Sequence, residues 1–326
     1  MTIRLLTIVT ILLTLTRFSG GQDVVVLYTS IDQPQARAIA NDFTARTGIR
    51  VTLVTDGEAT KTAGLAERIE AEKANPRADV YWNNEVFHTV RLAEMGCFEP
   101  LPTNIAGRAP APFVDTQARW VGVGLRARVI VVNTAEPRPV VNSIHDLIRP
   151  EFKDKIAMAH PAFGTTSGHV AWFYHTLGRE KFVELFRGLR ANNVKLLGGN
   201  SVVARMTADN IFLLGLTDND DVATLRVDGA AIEAIVPDQQ ADQLGTLLIP
   251  STVSLIKNAK NREAAMKLVD YLTGGEPESR LVNEQFFVAR VGDALTLHAR
   301  PVDFEEVSRV MPEAVKLALS ILQDGQ

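Results

Sequence analysis

The strongest constraint on this chain is the way short β-branched runs and helical periodicity take turns along it. Val24-Val25-Val26-Leu27-Tyr28 is such a run bounded by polar residues, the pattern of a buried strand. Ala36, Ile39, Ala40 and Phe43 then fall at i, i+3, i+4 and i+7, one face of a helix, and Gly48 supplies the stop. Ile49 to Val54 predicts a second strand, and residues 60–74 a helix with Leu65 and Ile69 on one face. Val80-Tyr81-Trp82 predicts a third strand, and Val86 to Met95 a helix ended by Gly96. A second set runs from Ile144 to about Pro237, with a strand at Ile156 to Ala159 and helices from about Gly168, at Glu180 to Arg190 and at Ser201 to Ala208. Strands alternating with helices pack as a largely parallel sheet with helices on its faces, so the fold class is α/β.

Two long β-type segments break this alternation. Trp120 to Asn133 is apolar apart from a few residues, chiefly Arg126 and Arg128, and Thr246 to Lys257 carries a proline in its middle. A length of 326 residues suits about two domains of roughly 100–200 residues each. With no linker between the halves, the two long segments are candidates for hinge strands that cross between lobes. Asn261 caps a further helix that places Ala264, Ala265, Leu268, Val269 and Leu272 inside.

Charge and cysteine usage narrow the function. A formal charge of -4 gives no general attraction to nucleic acid. The single cysteine, Cys97, excludes an intramolecular disulfide and a cysteine-pair zinc site. The N-terminus has Arg4, an apolar run from Leu5 to Leu15, and small residues at Ser19 and Gly21, the pattern of a signal peptide over residues 1–21 cleaved before Gln22. The apolar run is short of the roughly 20 residues of a spanning helix. An uncleaved anchor is the alternative reading. Removing residues 1–21 takes away two arginines and no acids, so -4 becomes −6. The expected product is an exported, periplasmic protein.

No nucleophile elbow or Walker loop is present, and Gly122-Val-Gly124 is an incomplete dinucleotide motif that reads as small residues in a strand. His169 and His175 have no evident nucleophile partner, which leaves an enzyme the least supported class. Loops that follow strands carry more, because open α/β sheets bind ligands beyond the carboxyl ends of their strands. Thr29-Ser30-Ile31-Asp32, Asp56-Gly57-Glu58-Ala59-Thr60 and Asn83-Asn84-Glu85 follow the first three strands; each is a helix-cap pattern or part of a ligand crevice. Gly164-Thr165-Thr166-Ser167-Gly168 opens a helix with free N–H groups and hydroxyls, and Gly199-Asn200-Ser201 repeats this on a smaller scale. Both suit an anion, for which Arg126 offers a guanidinium fork. Asp218, Asp220 and Asp221 place three carboxylates in four residues, which repel unless solvated or neutralised by a cation.

The segments VVLYTSIDQPQARAIANDFTARTGI, ADVYWNNE, WVGVGLRARVIVVN, HPAFGTTSGH, GNSVVARM, GLTDNDDV and IPSTVSLIKNAKNREAAMKLVDYL, taken in order, resemble periplasmic substrate-binding proteins of ABC importers, in the ferric-iron-binding branch. The resemblance implies a two-lobed, type 2 periplasmic-binding-protein-like fold. Each lobe would be a mixed sheet flanked by helices, joined by two crossing strands. Residues 22–125 plus 248–285 would form one lobe, and 126–247 plus 286–326 the other. It implies a monomer that binds a small ligand, serves an ABC-type membrane permease, and carries Fe(III) as cargo together with a synergistic small anion, with no tightly bound cofactor. The family's metal-ligating histidine falls at Asp32 and its tyrosine pair at Asp220 and Asp221, with Glu58, Glu85 and Asp218 as further carboxylates. Its anion side falls on Thr29, Ser30, Arg126, Thr165, Thr166, Ser167, Gly168 and Asn200. A phosphorylated or carboxylated organic solute, such as a sugar phosphate or phosphonate, is the alternative cargo.

Overall fold

The computed structural model describes residues 23–56, 63–135 and 138–323. The signal segment and Glu58 lie outside the described residues. The first block comprises β1 (Val24–Thr29), α1 (Gln33–Thr47), β2 (Arg50–Thr55), α2 (Ala63–Ala71), β3 (Val80–Asn83), α3 (Phe87–Glu94), β4 (Phe98–Glu99) and α4 (Thr103–Ala106). The long strand β5 (Val121–Asn133) leads to the second block: β6 (Ile156–Ala159), α5 (Gly164–Leu177), α6 (Arg179–Ala191), β7 (Lys195–Leu197), α7 (Asn200–Ala208), β8 (Leu214–Asp218), α8 (Asn219–Val227) and β9 (Ile232–Ile235). The chain returns through β10 (Leu248–Ile256) and closes with α9 (Arg262–Leu272), α10 (Glu276–Asn283) and α11 (Phe304–Gln323).

The strands follow the path β2-β1-β3-β10-β5-β8-β6-β7, with β4 paired to β10 and β9 to β5. β1 is parallel to β2 and β3, and β6 is parallel to β7 and β8, while β10 and β5 run antiparallel to their neighbours. Each half is therefore a mixed sheet flanked by helices. β5 belongs to both: its first half pairs with β10, its second with β8 and β9. All thirteen of its residues are buried. β10 pairs within the first sheet only.

The glycine pair in β5 answers to packing. A Cβ on Gly122 would meet the Phe113 carbonyl oxygen at 2.8 Å. Gly124 has φ +71 and lies against the Phe287 ring, with a would-be Cβ 2.0 Å from a ring carbon. Its positive φ sits beside the register shift between Pro250 and Ser251 on β10, where only glycine is unstrained.

Helix α1 buries Ala36, Ile39, Ala40 and Phe43, the face its periodicity predicts, and Gly48 ends it in the left-handed region. The C-terminal helix α11 crosses between the halves. Its Phe304, Val307 and Met311 share one apolar cluster with Phe87 and Val90 of α3 and with Val170 and Phe173 of α5. Ser308 Oγ also donates to the Phe87 carbonyl at 3.0 Å. This seam holds the two sheets with their strand ends facing each other, which positions the crevice described next.

Candidate functional site

The carboxyl ends of β1 and β3 in the first sheet face those of β6 and β8 in the second, with β5 passing between as a floor. Arg126 and Arg128 are two residues apart on β5, so their side chains leave the same face of the strand. Arg126 lies where β5 pairs with β10, and Arg128 lies directly opposite Asp218 of β8. Both are 1% exposed, which demands ionic partners.

Asp218 is the hub that supplies them. Its Oδ1 accepts from Arg128 Nη1 at 2.7 Å. Its Oδ2 accepts from Thr165 Oγ1 at 2.5 Å, Arg126 Nη1 at 3.1 Å and Asn200 Nδ2 at 3.1 Å. Four donors match the roughly four lone-pair sites of a carboxylate. Burial would favour the protonated acid, but the charges of Arg128 and Arg126 outweigh it and hold Asp218 well below the ordinary carboxylate range. Burial likewise opposes the Arg126 charge, and the carboxylates of Asp220, Asp218, Asp221 and Asp32 raise it in return.

Arg126 also joins the two halves. Its Nη1 reaches Asp220 Oδ2 at 3.1 Å, and its Nη2 donates to the Asn84 carbonyl of the first sheet at 2.5 Å. Arg128 Nε donates to Nδ1 of His169 at 3.0 Å. Burial and then the Arg128 charge push the His169 imidazole well below its ordinary value, so it accepts as the neutral ring. Asp221 Oδ2 accepts from Thr217 Oγ1 at 2.7 Å. Asp218, Asp220 and Asp221 are all buried, and each offers an oxygen within 4.8 Å of the others.

The first-sheet rim is largely self-bonded. Thr29 Oγ1 accepts from the Ile31 N–H at 3.1 Å, a local turn. Ser30 Oγ bonds Asn83 Oδ1 at 2.5 Å and accepts from the Asn84 N–H at 2.9 Å, tying the ends of β1 and β3. Glu85 accepts from the N–H groups of Phe87 at 2.7 Å and His88 at 3.1 Å, and from Asn83 Nδ2 at 2.9 Å. Its carboxylate thus caps the open end of α3 instead of facing the crevice floor. Asp32 stands at the N-cap position of α1, without a side-chain capping bond, at the crevice edge with Ser30, Asp56 and Ser201.

On the second side, helix α5 starts at Gly164, a turn earlier than the sequence pattern suggests. Thr166 Oγ1 donates to Asn200 Oδ1 at 3.0 Å, and Asn200 Nδ2 donates to Thr165 Oγ1 at 2.7 Å. Ser167 Oγ turns back to the Gly164 carbonyl at 2.8 Å. Gly168 packs tightly: a Cβ there would sit 2.1 Å from a ring carbon of Phe87, so it is a contact point between the halves. The residues expected to hold an anion (Arg126, Thr165 and Asn200) and one expected to hold a metal (Asp218) are bonded to each other.

Two functional residues escaped the sequence reading. Arg128 was visible as a charge two residues from Arg126 in an apolar strand, the spacing that puts both on one face. His160 follows β6 and lines the deep part of the crevice with Asn84, Thr165 and Asp221; burial lowers its pKa. The cavity there is about 30 Å³, room for on the order of two waters. A wider space of about 270 Å³ opens at Asp32, Asp56 and Ser201.

An ionised floor between two α/β halves is an arrangement suited to binding a small charged ligand. The sequence profile of the family described as bacterial extracellular solute-binding protein matches residues 25–282, and the chain belongs to that family. Proteins of this family bind a small ligand and work with an ABC permease, and they are not enzymes. The chain is 26% identical over 279 residues to Iron uptake protein A1 of Synechocystis, covering 82% of this chain and 76% of the relative. It superposes on the Trichodesmium IdiA/FutA protein in complex with iron and citrate with a TM-score of 0.74 at 23% identity, covering 91% and 99% of the two chains. The AfuA periplasmic binding protein of Actinobacillus pleuropneumoniae, with exogenous fructose-6-phosphate bound, gives 0.81 at 21% identity, covering 93% and 100%. Among the described residues no helix is long and apolar enough to cross a membrane.

Proposed function

We propose that this chain is an exported, periplasmic monomer that captures ferric iron between its halves and delivers it to an ABC permease. The observation that carries this reading is the convergence of three buried carboxylates, Asp218, Asp220 and Asp221, at the end of β8. Oxygen-only, anionic donors suit a hard cation, Fe(III) as well as Ca, Mg or Mn. Asp220 and Asp221 are the donors assigned to the metal, with Asp32 across the crevice mouth. The names of relatives such as Iron uptake protein A1 support the cargo. A phosphorylated solute is the weaker reading, because Thr165, Asn200 and Arg126 already bond a carboxylate of the chain itself.

This ferric site would contain no phenolate. Tyr28 bonds Glu72, Tyr174 bonds Glu313, Tyr81 is buried beside Phe98, and Tyr271 lies against Phe43. Replacing Asp220 and Asp221 together by alanine is expected to abolish Fe(III) binding in a competition titration. Unchanged affinity in that double variant removes the ferric reading.

A further inference from the structure

Arg126, Arg128, Thr165 and Asn200 form a set of donors of the kind that receives a small oxyanion: two guanidiniums, a hydroxyl at the start of α5 and an amide at the start of α7. All four converge on the carboxylate of Asp218, through bonds of 2.5 to 3.1 Å. The register dictates this. Arg128 and Asp218 are directly paired across β5 and β8, so the carboxylate is carried into the receptor by the sheet itself. Asp218 is also 2% exposed, and a free anion at the same donors would have to displace it.

We infer that Asp218 is a tethered counter-anion: its carboxylate occupies the oxyanion receptor of this crevice, so the chain takes its metal cargo without a free companion anion. The inference rests on the ferric reading for the nature of the cargo, but the filling of the receptor stands on the hydrogen bonds alone. It assigns the neighbouring carboxylates different tasks. Asp218 bonds both arginines, Asp220 shares Arg126 with it at 3.1 and 3.3 Å, and Asp221 lines the deep crevice; Asp220 and Asp221 are the carboxylates that the ferric reading assigns to the cargo. It also sets a specificity. A solute whose recognition depends on a phosphate or carboxylate group meets a receptor already filled, whereas a bare cation meets carboxylates. The donors left over are Arg126 Nε and Arg128 Nη2, which have no hydrogen-bond partner among the described residues.

The test has a metal-free arm and a ferric arm. Without metal, inorganic phosphate and formate are titrated while the melting temperature is followed. The natural chain is expected to show no shift. Asp218→Ala, which strips a buried carboxylate from two guanidiniums, is expected to melt lower and to recover several degrees as formate replaces the lost group. Asp218→Asn keeps the shape and fills the space, so it is expected to melt lower with little recovery. If the alanine variant does not fold, the asparagine variant and the natural chain still decide. An equal anion-induced shift in the natural chain overturns the inference. In the ferric arm, Fe(III) affinity of the natural chain is measured at rising phosphate concentration. A flat response is expected, and an increase of about tenfold or more, equivalent to 1.4 kcal/mol, overturns the inference. Failure to bind Fe(III) at every phosphate concentration ends the ferric reading, while the metal-free arm still reports on Asp218.

Discussion

The two sides of the crevice use polar residues in opposite ways. On the first-sheet rim, Ser30, Asn83, Asn84 and Glu85 satisfy one another and the open end of α3. On the floor and the second side, Arg126, Arg128, Asp218 and Asp220 form a buried ionic network. Both groups line the crevice between the two sheets, where ligands bind in this architecture. The difference shows that position alone does not make a ligand residue. A carboxylate two or three residues before a helix is drawn to its free N–H groups, as Glu85 is, whereas one held opposite a buried arginine stays ionised and can set the charge of a site.

Removing a floor arginine breaks this contrast most severely. Arg128→Met leaves Asp218 with one guanidinium in a buried setting. The expected loss of stability is about 3–5 kcal/mol, read by urea denaturation, because Asp218 and Asp220 then share the single guanidinium of Arg126 and the excess buried charge keeps its desolvation cost. A loss near that of an exposed ion pair, below about 1 kcal/mol, would place the network outside the buried regime.

The network also has a pH signature. His169 is held neutral when folded, below its unfolded value of about 6.5. As pH falls below that value the unfolded chain takes up a proton that the folded chain refuses, so stability declines by up to about 1.4 kcal/mol per pH unit from this group. Asp218 acts in the same direction further down. Its contribution is complete above the unfolded carboxylate value of about 3.9 and is lost as pH falls toward its lower folded value. His169→Gln is expected to reduce the slope between pH 6.5 and 5 by about that amount per unit, measured by denaturation at several pH values. An unaltered slope contradicts the neutral, accepting imidazole.

The rim should respond least. Glu85→Ala removes acceptors for two first-turn N–H groups of α3 and is expected to cost about 1 kcal/mol, as lost helix caps do. Fe(III) affinity should stay within about twofold, since the residue acts on the helix; a tenfold fall would return Glu85 to the metal set.

Much of the fold was legible because periodicity is local. The buried face of α1 and the long strand β5 follow from residues a few positions apart. The site was legible only in part. Asp218, Asp220 and Asp221 announce themselves by like charge in a short segment, and Arg126 by sitting in an apolar run. What they bond depends on the pairing of β5 with β8, and β8 itself was hidden in a stretch marked first by its three close carboxylates. Gly168 shows the same limit. Its spacing suits an anion loop, but its place is fixed by the ring of Phe87 on a distant helix, a contact no local pattern encodes.

The most direct test is the anomalous diffraction of crystals of the chain loaded with Fe(III) at the iron edge. The expected result is one strong peak between the halves, bonded by Asp220 and Asp221, with Asp218 still on both arginines and no free anion in its place. Iron bound elsewhere, or a separate oxyanion on Arg126 with Asp218 turned away, contradicts it.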